Sequence, residues 1–284
     1  MPSVVITGTS TGIGWSATKV LIKNGFRVFG SVRKVADAER LSAEFGESFV
    51  PLLFDVTDEA AVNAAAAQVR AELAGATLDG LVNNAGIAVA GPLLALPIGE
   101  FRHQIEVNLT GVVIVTKAFA PLIGTDPARL GRPGRIVNIG SVGGRVATPF
   151  LAPYCASKFA IEGLSESLRR ELLLFGIDVV VIAPGSVATP IWDKAEEADV
   201  TPFVGTPYGP PLQRLRSYML AAGKKGLPPE RLGSAVHHAL TVAHPKVRYA
   251  VSRQPLQDFL ARAMPKRLVD RIIGGQLGLL PAKQ

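Results

Sequence analysis

Cysteine is nearly absent from this chain. Cys155 is the only one, which excludes an internal disulfide and any cysteine-built zinc site. A reducing compartment suits such a chain, so cytoplasmic residence is the expectation. Histidine is scarce as well: His103, His237, His238 and His244 have no metal-ligand spacing with cysteines or with each other, so no metal is expected. Apolar residues are plentiful, yet no stretch of about 20 runs uninterrupted, so a membrane-spanning helix is not expected. The N-terminus enters Val4-Val5-Ile6 with no charged leader or cleavage site, and no signal peptide is expected. Acidic residues are the minority: 23 against 30 Lys and Arg, a net charge of +7. The cations are scattered, not clustered or interleaved with aromatics, which argues against nucleic acid as a partner but suits capture of an anionic cofactor. Cys155 reads as a small packing residue beside Tyr154, not as a nucleophile.

The remaining residues alternate between short apolar runs and helical segments. Residues 3–7 predict a first strand, followed by Thr7-Gly8-Thr9-Ser10-Thr11-Gly12-Ile13-Gly14 and a helix over 13–24. Strands follow at 27–31, 49–54, 78–83, 134–140, 177–183 and, last, 248–252. Between them lie helices over about 59–73, with Asp58 as its cap, over 100–119, and from Tyr154 to about 175. Alternation of this kind predicts an α/β fold, a three-layer doubly wound parallel sheet. With no repeat, linker or low-complexity tract, the chain reads as one domain over 1–284.

In such sheets ligands sit beyond the carboxyl ends of the strands. Gly8–Gly14, Asp55-Val56, Asn83-Asn84-Ala85-Gly86, Ser141 and Pro184-Gly185-Ser186-Val187-Ala188-Thr189 all fall there. The first set joins strand, glycine turn and helix start, a combination that holds a pyrophosphate on backbone N–H groups. Its spacing is Gly-x-x-x-Gly-x-Gly, a variant of the familiar dinucleotide pattern. An NAD site carries a carboxylate about 20 residues on, at the end of the second strand. Here Ser31-Val32-Arg33-Lys34 stands instead. Arg33 suits a 2′-phosphate through its planar fork, which favours NADP(H), with NAD(H) as the alternative; the plainer reading of Arg33 is a solvated helix start. Asp55 is placed to accept the adenine amino group.

Tyr154 and Lys158 stand four apart on a helix and therefore share one face. A nearby ammonium favours the phenolate and lowers the pKa of a tyrosine, which would fit Tyr154 as a general acid/base. Tyr-x-x-x-Lys alone is a weak signal; an exposed helix face with a snorkelling lysine would look the same. Ser141, thirteen residues earlier, ends a strand whose loop returns to the helix start. Asn108, among apolar neighbours in a helix, reads either as a kink residue or as the holder of a water near Lys158.

Residues 189–229 break the alternation with Pro190, Pro202, Pro207, Pro210 and Pro211. They read as a long irregular insert at the ligand edge, a lid or binding loop. Phe150, Trp192, Phe203 and Met219 make its surroundings apolar. Pro228-Pro229-Glu230 opens another helix. A helical extension over about 255–280 puts Met264, Leu268 and Ile272, with Val269 and Ile273, opposite Arg262, Lys266, Arg267 and Arg271. It either touches a membrane surface peripherally or packs on its own domain or a second subunit, the simpler reading.

Together TGTSTGIG, NNAG, Asn108, Ser141, YCASK and PGSVAT resemble the short-chain dehydrogenase/reductase superfamily, in its single-domain branch, over nearly the whole chain. SVGGRVATPFLAPYCASKFAIEGLSESLRREL is similar to the 17β-hydroxysteroid and retinol dehydrogenase group. The resemblance implies a catalytic tetrad of Asn108, Ser141, Tyr154 and Lys158. Tyr154 would be the acid/base, Lys158 would lower its pKa and hold the nicotinamide ribose, Ser141 would bind the substrate oxygen, and Asn108 would position a relay water. It implies cofactor contacts at Gly8, Ser10, Thr11, Gly12, Ile13, Gly14, Arg33, Asp55, Val56, Asn83, Ala85, Gly86, Tyr154, Lys158, Pro184, Gly185, Val187 and Thr189. Ser141, Gly143, Phe150 and Trp192 would meet a lipophilic alcohol or ketone. A homodimer or homotetramer through helices such as 103–122 and 154–175 is expected. The glycine turn departs from some NADP-preferring members in lacking a basic residue. A cofactor-binding sensor without turnover would share the fold, but would have no need of a phenol beside an ammonium.

Overall fold

The computed structural model describes residues 1–197 and 199–281. Its centre is a parallel sheet of β1 (Ser3–Ile6), β2 (Arg27–Val32), β3 (Phe49–Leu53), β4 (Gly80–Asn83), β5 (Arg135–Ile139), β6 (Asp178–Pro184) and β7 (Arg248–Val251), in the order β3-β2-β1-β4-β5-β6-β7. Val4 stands opposite Val28 on one side and Gly80 on the other. Successive residues of a strand face opposite layers. Val5, Leu81, Ile136 and Val179 enter one core; Val4, Ile6, Val82, Val137 and Val180 enter the other. Both faces are covered, which is why the strands read as unbroken apolar runs.

The first layer is α1 (Gly12–Lys23), α2 (Val35–Phe45) and, later in the chain, Pro229–Thr241. The second contains α3 (Glu59–Glu72), then α4 (Ile98–Ile105), α5 (Gly111–Ala120) and α6 (Ala152–Glu171). Asp58 caps α3 as expected, its carboxylate accepting from Ala61 N at 3.0 Å. The strand order reverses between β1 and β4, and the crevice there is where such sheets bind ligands.

Three expectations need correction. The helix over 100–119 is not continuous: Glu106–Thr110 forms a π turn between α4 and α5, with Asn108 in it. The whole rod, Ile98–Thr125, is long and apolar enough to cross a bilayer by length and composition, but half of its most apolar window is buried within the protein; its apolarity belongs to the core. The insert over 189–229 is not irregular. It holds α7 (Ile191–Glu197) and α8 (Gly209–Lys224), because Pro210 and Pro211 occupy the first turn of α8, where a missing N–H costs nothing. The helix starting at Pro229, α9 (Pro229–Thr241), follows as expected. Finally, the C-terminal extension is two helices, α10 (Pro255–Ala263) and α11 (Lys266–Leu277). Pro265 is the cap residue of α11, outside the helical region at φ −54° and ψ 133°, and separates them.

A separate small core joins this carboxyl-edge cap to the domain. Phe150, Leu212, Leu215 and Leu277 are buried in it, with Phe203, Tyr208, Met219 and Ile273 packed around them.

Candidate active site

The site begins at the turn after β1. Gly8 and Gly12 have φ of +71° and +63°, a region that strains other residues. A Cβ on Gly14 would lie 2.1 Å from the Gly8 carbonyl oxygen and 2.5 Å from Asn84 Nδ2. The turn is held from both sides. Gly8 N donates to Ser31 Oγ at 3.0 Å, and Thr9 N to the Ser31 carbonyl at 2.9 Å. Thr7 Oγ1 accepts from Asn84 N and Ala85 N at 2.9 and 3.0 Å, while Asn84 Nδ2 donates to the Thr7 and Gly8 carbonyls. The sequence places Thr7, Ser31 and Asn84 only within the strand-end stretches, without this clasping role; a polar residue at the buried end of an apolar strand is the signal for it.

The N-terminus of α1 is open to an anion. Thr11 makes no side-chain cap bond, and the first turn has no acidic residue, so its N–H groups and positive dipole end are unspent. Thr189 closes the other side, within 3.4 Å of a Cβ on Gly12. A dinucleotide pyrophosphate fits this cradle, with Gly8, Ser10, Thr11, Gly12, Ile13 and Gly14 as its floor.

Two cations flank it. Arg33 is two-thirds exposed, with Nη1 3.5 Å from Asp55 Oδ2. Arg40, not anticipated from sequence, donates from Nη2 to the Ser10 carbonyl at 2.7 Å and to Asp37 at 2.9 Å. It helps line a cleft of about 330 Å³ with Ser10, Thr11, Gly12 and Trp15. Asp55 Oδ1 is already engaged by Thr57 N and Oγ1 at 3.0 and 2.8 Å. Burial works against the Asp55 charge, but the Thr57 bonds and Arg33 outweigh it and hold the carboxyl below its ordinary value. Asn83 also differs from expectation. Its amide turns into the protein and donates to Thr116 Oγ1 and Asn138 Oδ1 at 3.1 and 2.8 Å. Asn138 continues to Ser165, so this polar chain stitches β4 and β5 to α6. Val56 is buried and packs against Gly111, and Ala85 lies against Gly8. Gly86 reaches Asn108. Past β6, Gly185 N bonds the Val251 carbonyl and Val187 is buried.

Ser141 stands two residues past the end of β5 and caps the turn that follows, its Oγ accepting from Gly143 N at 3.0 Å. The return loop ends at α6, whose first turns carry Tyr154 and Lys158. Ser141 Oγ and the Tyr154 ring stand side by side at Gly143, where a Cβ would lie 3.3 Å from the one and 3.6 Å from Cε1 of the other. Gly143 thereby keeps the edge of the Tyr154 ring uncovered. Lys158 is buried beneath, its Nζ donating to the Ile139 carbonyl at 2.8 Å and lying 5.9 Å from the Tyr154 ring centroid.

The charge balance departs from the sequence reading. Burial pushes the Tyr154 phenol above its ordinary value, with the Ser141 hydroxyl pulling the other way. Lys158 does not overcome that, because burial lowers its own pKa to about 8 and its ammonium is turned to Ile139. Desolvation disfavours the charged form of each group, so the pair at neutral pH is a neutral phenol above an ammonium close to its titration point.

Asn108 is likewise committed. Its Oδ1 accepts from Ile87 N at 2.8 Å, and Nδ2 donates to the Ile87 carbonyl and Ser157 Oγ at 3.0 and 3.2 Å. Ser157 Oγ in turn donates to the Tyr154 carbonyl at 2.7 Å. The Asn108 side chain thus ties the loop after β4 to α6, and its amide groups are occupied by these bonds. Phe150 and Trp192 have packing work. Phe150 is buried in the cap core, its ring edge-on to Tyr208 at 6.1 Å. Trp192 donates from Nε1 to the Val187 carbonyl at 2.6 Å. Its ring covers Gly223 so closely that a Cβ would fall 2.4 Å from it, fixing α7 on α8.

The family model for short chain dehydrogenase matches residues 2–200. An NADPH-dependent 3-dehydrocapnine reductase of Ornithobacterium rhinotracheale is 36% identical over 273 residues, covering 96% of each chain. Human retinol dehydrogenase 5 is 33% identical over 288 residues, covering 95% of this chain and 87% of its own. Among solved structures, a short-chain dehydrogenase from Streptomyces avermitilis superposes with a TM-score of 0.76 at 23% identity, over 98% of this chain and 97% of its own.

Proposed function

The chain belongs to the short-chain dehydrogenase/reductase family, an NAD(P)(H)-binding oxidoreductase, and on that footing we propose that it is an NADP(H)-dependent enzyme interconverting a lipophilic alcohol with its ketone or aldehyde. The observation that carries this reading is that Ser141 and Tyr154 adjoin each other at Gly143, with Lys158 buried beside them, at the carboxyl edge beside the glycine cradle.

Bound NADP(H) supplies or accepts the hydride. Ser141 orients the substrate oxygen through its hydroxyl. Tyr154 hands its phenolic proton to that oxygen as carbonyl becomes alcohol, or takes it back in reverse. A phenol raised by burial begins reduction in the correct protonation state. Lys158 keeps positive charge beneath the proton donor and offsets the charge left on Tyr154. Asn108 and Ser157 hold the helix start in place. The apolar cap excludes water from the reacting atoms, with Phe150 and Trp192 as fixed walls.

The missing carboxylate after β2, with Arg33 and Arg40 on the adenosine side, supports a 2′-phosphate. So does a relative named for NADPH. A relative named for retinol is consistent with an apolar substrate. Fluorescence titration tests the cofactor reading. NADPH is expected to bind more tightly than NADH, and Arg33→Ala to weaken NADPH roughly tenfold while sparing NADH. Equal affinities, indifferent to that substitution, would make NAD(H) the cofactor.

A further inference from the structure

α10 lies with its apolar side outward. Leu256, Phe259 and Leu260 are 70%, 63% and 47% exposed, and at helical spacing they share one face. The residues turned towards the body are Asp258 and Ala261, both half-buried, and Asp258 Oδ2 is shielded without a partner. A helix packed on its own domain would face the other way. α11, which follows after Met264 and Pro265, also leaves apolar residues in water. Val269 and Leu277 anchor it to the domain, while Leu268 and Ile272 remain 45% and 43% exposed.

The rim of this surface has one sign. Arg262, Lys266, Arg267 and Arg271 are all exposed, and the acidic residues of the segment are Asp258 and Asp270 alone. A second copy on a two-fold axis would set the same cations against themselves. An anionic lipid surface complements both features: acyl chains take the apolar side chains and headgroups take the cations. We propose that α10 and the outer side of α11 dock on an anionic bilayer.

The position gives the docking a use. α10 leaves the carboxyl end of β7, the edge that carries the site, and Leu277 of α11 receives Arg214 of α8 at 3.0 Å. The α11 part of the docked surface is therefore tied to the cap. Delivery of an apolar substrate from the bilayer rests on the proposed function; the docking does not.

The test is co-sedimentation of the full chain with phosphatidylcholine vesicles, with and without phosphatidylglycerol. Wild type is expected to pellet with the anionic vesicles and to be released by salt. The double variants F259E/L260E and R267E/R271E are each expected to bind roughly tenfold more weakly or worse. All substituted residues are exposed, so NADPH affinity and melting temperature should not change, which separates this result from any failure of the oxidoreductase reading. Equal recovery of wild type in the supernatant under every condition overturns the proposal. So does sedimentation velocity in which F259E/L260E dissociates a wild-type oligomer that ignores vesicles, since the face would then belong to a second copy.

Discussion

Lys158 is where the site and the stability of the fold conflict. Its folded pKa of about 8 lies below the ordinary 10.5, so between those values the folded chain binds fewer protons than the unfolded one. The burial penalty is therefore fully present below about pH 8 and fades as pH rises towards 10.5. Lys158→Met should abolish turnover yet stabilise the protein by roughly 1–2 kcal/mol at pH 7, after the lost bond to Ile139 is set against relieved desolvation. The gain should shrink by pH 10, which thermal melts across that range would show; a constant difference would mean the ammonium is solvated. The same titration should make carbonyl reduction decline as pH rises through about 8. At this scale the sequence was informative about spacing and blind to solvation. Four-residue spacing placed Tyr154 and Lys158 together, but burial depth decided which way each pKa moved. Asn108 was found as a polar residue among apolar ones, whereas its partners Ile87 and Ser157 lie in other elements.

At the scale of elements, the glycine turn is the most tightly determined piece. It is clasped by Ser31 from β2 and Asn84 after β4, so a change in its backbone moves both strand ends. Gly14→Ala puts a methyl where the Gly8 carbonyl stands. We expect a loss of roughly 2 kcal/mol or more in stability and at least a tenfold loss of NADPH affinity, measured by denaturant titration and fluorescence; unchanged binding would remove the turn from the cofactor site. Strands and their helices were legible because the central strands are covered on both faces and are mostly apolar. The cap was not. Its prolines looked like breaks, but Pro210 and Pro211 start α8 and Pro265 starts α11. Whether a proline begins or ends a helix depends on which side continues, and α8 continues because Leu212 and Leu215 have Phe150 to bury against. The π turn around Asn108 had no local signal either, since its neighbours are ordinary helix residues.

At the scale of the whole molecule, two of the apolar surfaces exposed among the described residues differ in charge. The C-terminal one is rimmed by cations. The other runs along α6, where Phe159 is 44% exposed, and continues to Leu173 and Leu174 beyond it. Ala156 and Gly163 lie beside Phe159 on that face, small enough to let a second helix approach. We propose it as the oligomer contact, so Phe159→Asp should lower the mass seen by sedimentation velocity with the fold intact; an unchanged mass would place the contact elsewhere. The core claim concerns the other end of α6, where the sheet edge and the cap enclose Tyr154. Its most direct test is single-turnover reduction of two apolar probes, retinal and a steroid ketone, by NADPH deuterated at the nicotinamide carbon, comparing wild type with Tyr154→Phe. The account predicts that wild type moves deuterium to the carbonyl carbon of at least one probe. Tyr154→Phe should bind NADPH with wild-type affinity and transfer about a hundredfold to ten-thousandfold more slowly. Transfer at the wild-type rate without the phenol, or none by wild type to either probe, would contradict it.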